Sequence, residues 1–217
     1  MVAQLQRNDI GALGTPESGV REFTLGIEPG QVVGLNGLPG SGLTRLGLSF
    51  LAPYAHRGPV AYLDVRGWGN PAVAWELGIP PDRLVMVRSG EVVSWSRIVA
   101  TLLPGVRGVY AEVPAGVRDS ALRKLAAKAR VSRTPLVLRP VAGALPSGIA
   151  HLRLESRSVT WEGTDTGHGQ LQRRRAMLDA AGKAIRGMQR TIEVEDDGTH
   201  DLCVVPDMGT PPARRLA

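Results

Sequence analysis

Lysine is nearly missing from this chain: among 26 basic residues only Lys124, Lys128 and Lys183 are lysines, and the rest are arginines. That scarcity excludes any chemistry that needs a lysine before residue 124. Cysteine is as scarce. With Cys203 alone there can be no intrachain disulfide, and its neighbours Leu202, Val204 and Val205 suggest a strand in a protein kept in a reducing compartment. Aromatic residues make up 4%, and none interleaves with the basic residues of 169–190, which makes that segment a poor stacking platform for single-stranded nucleic acid. No apolar run approaches the roughly 18 residues of a membrane span. The opening MVAQLQRNDIGALG lacks the basic-then-apolar order of a secretory signal, so a cytoplasmic protein is expected. His56, His151, His168 and His200 have no metal-ligand spacing with one another or with Cys203, and no metal site is expected.

What the chain does have is length for one domain, 43% hydrophobic content and a formal net charge of +6, a balance that favours an acidic partner or nucleic acid. Apolar runs alternate with helical patterns. Strands are expected at 31–35, 60–64, 84–87, 109–113 and 135–138. Helices are expected at 44–51, 72–77 and 94–103, and another is centred on Val117, Leu122, Leu125 and Ala129. Alternation of this kind implies crossover connections and a mostly parallel sheet with helices on both faces. After residue 150 the pattern changes to short alternating strands at 151–154, 159–161, 191–195 and 201–205, with a turn at Asp196-Asp197-Gly198. Between them Leu171, Leu178, Ala181, Ile185 and Met188 recur at helical spacing, which predicts a basic helix over about 169–189. Residues 1–20 and 207–217 read as flexible tails around an α/β domain spanning 21–206.

Gly37 to Thr44, GLPGSGLT, follows the phosphate-loop template at every fixed position except the lysine, which is Leu43. In a working loop the backbone N–H groups and the helix N-terminus hold the phosphates, the lysine neutralises their charge, and the Ser/Thr hydroxyl binds magnesium. Gly37, Gly40, Ser41, Gly42 and Thr44 remain, with Asp64 and Glu112 as acidic candidates at the ends of two strands. Weak binding of ATP and magnesium is the most such a loop is expected to keep. The alternative is a Gly-rich turn kept for backbone geometry alone.

The ordered set GIEPGQVVGLNGLPGSGLTRL, GPVAYLDVRGWGNPAVAWELGIPPDRLVMVRSG, VRGVYAEVP and TPLVLRP resembles the RecA family over about residues 22–160. With Pro146 to Leu154, it looks most like the ImuA group of translesion-mutagenesis accessory proteins. The resemblance implies a RecA-like three-layer core. It also implies where function has gone: Arg66 stands at the family's catalytic glutamate, Arg139 near its sensing glutamine, and the DNA-binding loops are short. No catalytic residue is therefore assigned, and hydrolysis is not expected.

By the same resemblance the protein is expected to be a non-catalytic scaffold in a bacterial DNA-damage-induced complex. Its partners would be a Y-family polymerase homologue of the ImuB kind and an error-prone replicative-type polymerase. Two other readings stay open, a nucleotide-dependent switch and a cell-division inhibitor like the SulA group. Candidate contacts for a protein or for non-specific DNA are Arg173, Arg174, Arg175, Lys183, Arg186 and Arg190, and Trp68 as an exposed anchor; against these stand a solvated helix face and a tryptophan capping its own loop.

Overall fold

The computed structural model describes residues 25–163, 173–185, 187, 189–196 and 203–205. The five short apolar runs form the parallel strands β1 (Val32–Asn36), β2 (Val60–Asp64), β3 (Leu84–Arg88), β4 (Val109–Val113) and β5 (Leu136–Pro140). Helices follow as α1 (Leu43–Ser49), α2 (Ala52–Ala55), α3 (Ala72–Glu76), α4 (Val92–Leu102) and α5 (Asp119–Ser132). The remaining strands are β6 (Leu152–Glu162), β7 (Arg173–Gly182), β8 (Arg190–Asp196) and β9 (Cys203–Val205). All nine belong to one sheet in the order β3-β2-β4-β5-β1-β6-β7-β8-β9. From β3 to β6 the pairs are parallel, and from β6 to β9 antiparallel. The fold is thus α/β with a mixed sheet.

Alternation along the strands divides the core into two layers. Val33, Leu35, Tyr62, Tyr110 and Val137 face one cluster, joined by Leu43, Leu46 and Leu48 of α1. Val32, Ala61, Leu63, Leu136 and Leu138 face the other, with Trp95 and Val99 of α4 and Leu122, Leu125 and Ala129 of α5. Parity then fixes the site. Asp64, Glu112 and Arg139 follow Tyr62, Tyr110 and Val137 by two residues, so they lie on the α1 face at the C-terminal ends of their strands, where ligands of open α/β sheets bind.

The basic helix expected over 169–189 is not there. Residues 173–182 form β7, whose buried Arg174, Ala176, Leu178 and Ala180 alternate with Arg173, Arg175 and Met177. Leu171, Arg186 and Met188 lie outside the described residues, as do both expected tails and most of the turn after Asp196. The two strands expected at 151–154 and 159–161 are one, β6, with an irregularity between Ser156 and Ser158. Pairing decides this outcome: β7 exchanges bonds with β6 over ten residue pairs and with β8 over seven, an arrangement that outweighs the modest intrinsic helix preference of Ala, Leu, Met and Arg.

Asp179 in β7 accepts hydrogen bonds from Arg157 Nε at 2.5 Å and Thr191 Oγ1 at 3.0 Å. The Arg157 bond is the main cause holding its carboxyl below the ordinary range, with burial opposing. A depressed folded-state pKa stabilises above the unfolded value and is lost as pH falls through the folded one. Comparing wild type with Asp179→Asn should therefore show a stability gap at pH 7 that narrows below about pH 4. Thermal midpoints across pH 3–7 measure it, and a gap independent of pH would contradict the assignment.

Candidate functional site

The loop between β1 and α1 has the backbone of a cradle, but its side chains are engaged from within. Gly42 adopts φ 72°, the left-handed region, as the N-cap of α1, where a side chain is strained. A Cβ there would meet Arg174 Nη1 at 1.7 Å. So the guanidinium of Arg174, delivered by β7, rests on the glycine that would otherwise face a ligand. Ser41 turns inward: its Oγ donates to the Leu38 carbonyl at 2.6 Å and its N–H to the same oxygen at 3.3 Å. Leu43 is 1% exposed and belongs to the core cluster beneath the loop. A Cβ on Gly37 would lie 2.9 Å from Leu43 Cδ1 and 2.8 Å from Ser156 Cβ, so the leucine is packed directly under the loop's first glycine.

Thr44 keeps its hydroxyl, yet Arg139 Nη1 donates to it at 2.8 Å. A guanidinium therefore holds the oxygen that a magnesium ion would need. Tyr110 Oη lies 3.4 Å from the same hydroxyl. Burial raises the Tyr110 pKa, with Arg139 and Thr44 acting in the opposite sense. Arg139 is itself buried.

Glu112 is 1% exposed and saturated. It accepts from the N–H groups of Val65 at 3.0 Å and Arg66 at 3.1 Å, from Arg66 Nε at 3.0 Å, and from Arg66 Nη2. Burial works against the Arg66 charge, but the hydrogen bond and charge of Glu112 outweigh it and raise the guanidinium's pKa. Asp64 is equally committed. It accepts from the N–H groups of Gly67 at 2.8 Å and Gly69 at 3.0 Å, with Arg88 Nε at 3.5 Å, and so shapes the loop that carries Trp68.

Beyond Arg174 runs a chain of charge. Arg174 Nη2 donates to Asp196 Oδ2 at 2.7 Å, Arg45 Nε lies 2.9 Å from the same oxygen, and Arg45 Nη1 reaches Glu76 at 2.7 Å. Burial lowers the Arg174 pKa, with Asp196 opposing and Arg45 adding to the shift. The Arg174 guanidinium also lies 5.6 Å from the Trp161 ring centroid. One ion-pair network thus ties α1, α3, β7 and β8 across the loop.

Sequence reading placed these site residues together but took Arg66 and Arg139 only as losses, when Arg66 holds Glu112 and Arg139 holds Thr44. Pairs such as Arg66 with Glu112 have no local signal. They are 46 residues apart, and only the strand order brings them into contact. The partner candidates separate. Arg173 pairs with Glu195 at 3.0 Å, and Arg175 with Glu195 at 3.1 Å and Glu162 at 3.5 Å. Carboxylates on neighbouring strands therefore balance a run that looks unrelieved in sequence. Lys183 and Arg190 are exposed, with no ion pair among the described residues. Trp68 is 69% exposed with Arg66 over its ring at 4.9 Å. It does not cap the core.

No group of His, Cys, Asp and Glu among the described residues could hold a metal ion, and no described helix is long and apolar enough to cross a membrane. The family model described as MT3502 N-terminal domain matches residues 23–146, more than half of the chain. That stretch carries β1 to β5 and the loop, while β6 to β9, including Arg174 and Asp196, follow it. Comparison with curated proteins gives no match.

Proposed function

We propose that this chain, which belongs to the MT3502 N-terminal domain family, is a protein-interaction scaffold on a RecA-like core that neither binds nor hydrolyses ATP to any useful extent. One observation carries this reading: the side chains that phosphoryl transfer would recruit are already used inside the protein. Arg139 occupies Thr44, Arg66 occupies Glu112, backbone N–H groups occupy Asp64, and Leu43 is buried. Phosphoryl transfer depends on free cations, metal and a water-orienting carboxylate, and Thr44, Glu112 and Asp64 are not free to supply the last two. The RecA-like assignment is supported by the order in which the loop, Asp64, Glu112 and Arg139 fall at the C-terminal ends of β1, β2, β4 and β5.

On the resemblance to the ImuA group, the scaffold we propose works in a DNA-damage-induced translesion complex in the cytoplasm, with a Y-family polymerase homologue as direct partner and an error-prone replicative-type polymerase beyond it. The surface that fits a protein lies at one margin of the sheet. Trp68, Trp75, Val85 and Val93 are 69%, 46%, 39% and 70% exposed, and all come from the segment around the edge strand β3. Its sequence, LVMVR, carries no proline or lysine to discourage pairing. Exposed apolar residues in the segment around β3, an edge strand among the described residues, support this as a contact surface.

Calorimetry should show no binding of ATP with magnesium in the micromolar range, and the purified Y-family homologue should bind. Trp68→Ala should weaken that complex by about 30-fold if Trp68 is an anchor. ATP turnover abolished by Thr44→Ala would overturn the reading. Binding to the tubulin-like division protein in place of the polymerase homologue would move the chain to the SulA-like reading.

A further inference from the structure

The densest group of basic side chains without a described carboxylate partner is not on β7 but on the outer face of α5. Residues 118–133 hold six basic residues and one acidic residue, Asp119, so this segment carries +5 of the chain's formal +6. None of the six forms an ion pair with a described carboxylate, in contrast to Arg173, Arg174 and Arg175, which all do. Arg123 reaches only the Ser147 carbonyl, at 3.3 Å. Leu122, Leu125, Ala126 and Ala129 are buried, which turns the charges outward.

At about 100° per residue, Arg123 and Arg130 fall on one flank of that face and Lys124 and Lys128 on the other, the two rows about 130° apart around the axis. Between them lie Ser120, Ala127 and Val131, all exposed, with Val131 at 85%. The helix therefore presents two lines of cations with a low crest of small side chains between them. Nothing aromatic lies on that face for unstacked bases.

We propose that this face of α5 docks on the phosphate backbone of duplex nucleic acid, without reading its sequence. Two parallel cationic rows suit the two phosphate rows that border a groove. An irregular acidic patch on a protein has no such repeat. This inference does not rest on the scaffold reading, since it needs neither the phosphate loop nor the polymerase homologue.

Fluorescence anisotropy with a labelled 20-base-pair duplex of mixed sequence tests it on the full chain. Binding should be measurable at 50 mM salt. Its affinity should fall linearly on a log–log plot with a slope of about −4, one unit for each of the four rail cations. Lys124→Gln with Lys128→Gln should reduce the slope by about 2 and weaken binding at least tenfold. Both lysines are exposed, so circular dichroism should be unchanged. Arg175→Gln should leave affinity as it was. No binding at 50 mM salt, or equal affinity for the lysine double variant, would overturn the proposal. Loss with Arg175→Gln would assign the contact to β7, and tighter binding to poly-glutamate than to the duplex would assign α5 to an acidic protein; each overturns it too.

Discussion

Replacing Arg66 by methionine should destabilise the fold by about 3–5 kcal/mol, because it strands a carboxylate in the interior. Glu112 is 1% exposed and Arg66 is its only side-chain cation among the described residues, with two of its four contacts coming from the Arg66 guanidinium. What would remain are the N–H groups of Val65 and Arg66, which solvate one oxygen and leave the other bare. Adding Glu112→Gln to Arg66→Met should recover most of the loss, since the amide oxygen still accepts those two N–H groups and no charge is left buried. Acidity separates the variants. An unpaired buried carboxyl has a folded-state pKa above its unfolded value, so the single variant should gain stability as pH falls from 7 to 5, and the double variant should not. Urea unfolding at the two pH values measures both effects. A single variant as stable as wild type would mean that the pair does not organise the site.

That pair shows where sequence reading stops. The strands from β1 to β5 were legible because each is a short apolar run bounded by Gly or Pro, and the helices because their apolar residues return every three or four positions. The loop was legible because glycine is demanded by its backbone: Gly42 sits at φ 72°. β7 was misread because Arg173-Arg174-Arg175 gives no polarity contrast. The alternation of Arg174, Ala176, Leu178 and Ala180 is carried by an arginine and two alanines, which a hydrophobicity pattern does not mark as inward. Arg174 turns inward onto Asp196, which lies directly opposite it on β8, a partner in space and not in sequence. The same reasoning explains the arginine run. Its balancing acids Glu195 and Asp196 are about 20 residues away in sequence and directly opposite Arg175 and Arg174 in register, with Glu193 on the diagonal from Arg175. Charge counted along a chain is a poor guide to charge on a sheet, and a better one on a helix, where neighbours in space are neighbours in sequence.

Restoring the missing lysine should not restore an ATPase. Leu43→Lys is expected to show no phosphate release above wild type, and to cost about 3–5 kcal/mol of stability through a lost apolar contact and a buried, unpaired ammonium. The leucine is 1% exposed against the loop and the core below it. An ammonium there finds no free acid, because Glu112 belongs to Arg66 and Asp64 to the loop at Gly67 and Gly69. Arg139, already on Thr44 at 2.8 Å, adds repulsion. Leu43→Met should by contrast cost less than about 1.5 kcal/mol, since it conserves volume and polarity. If Arg139 is the second obstacle, Leu43→Lys with Arg139→Gln should be more stable than Leu43→Lys alone, though still without turnover while Arg66 holds Glu112. Urea unfolding and a phosphate-release assay on the three variants separate these effects. Turnover by the single lysine variant would show that Thr44 and Glu112 can leave their arginines when a nucleotide arrives, and the internal neutralisation of the loop would then be a resting state and not the end of its chemistry.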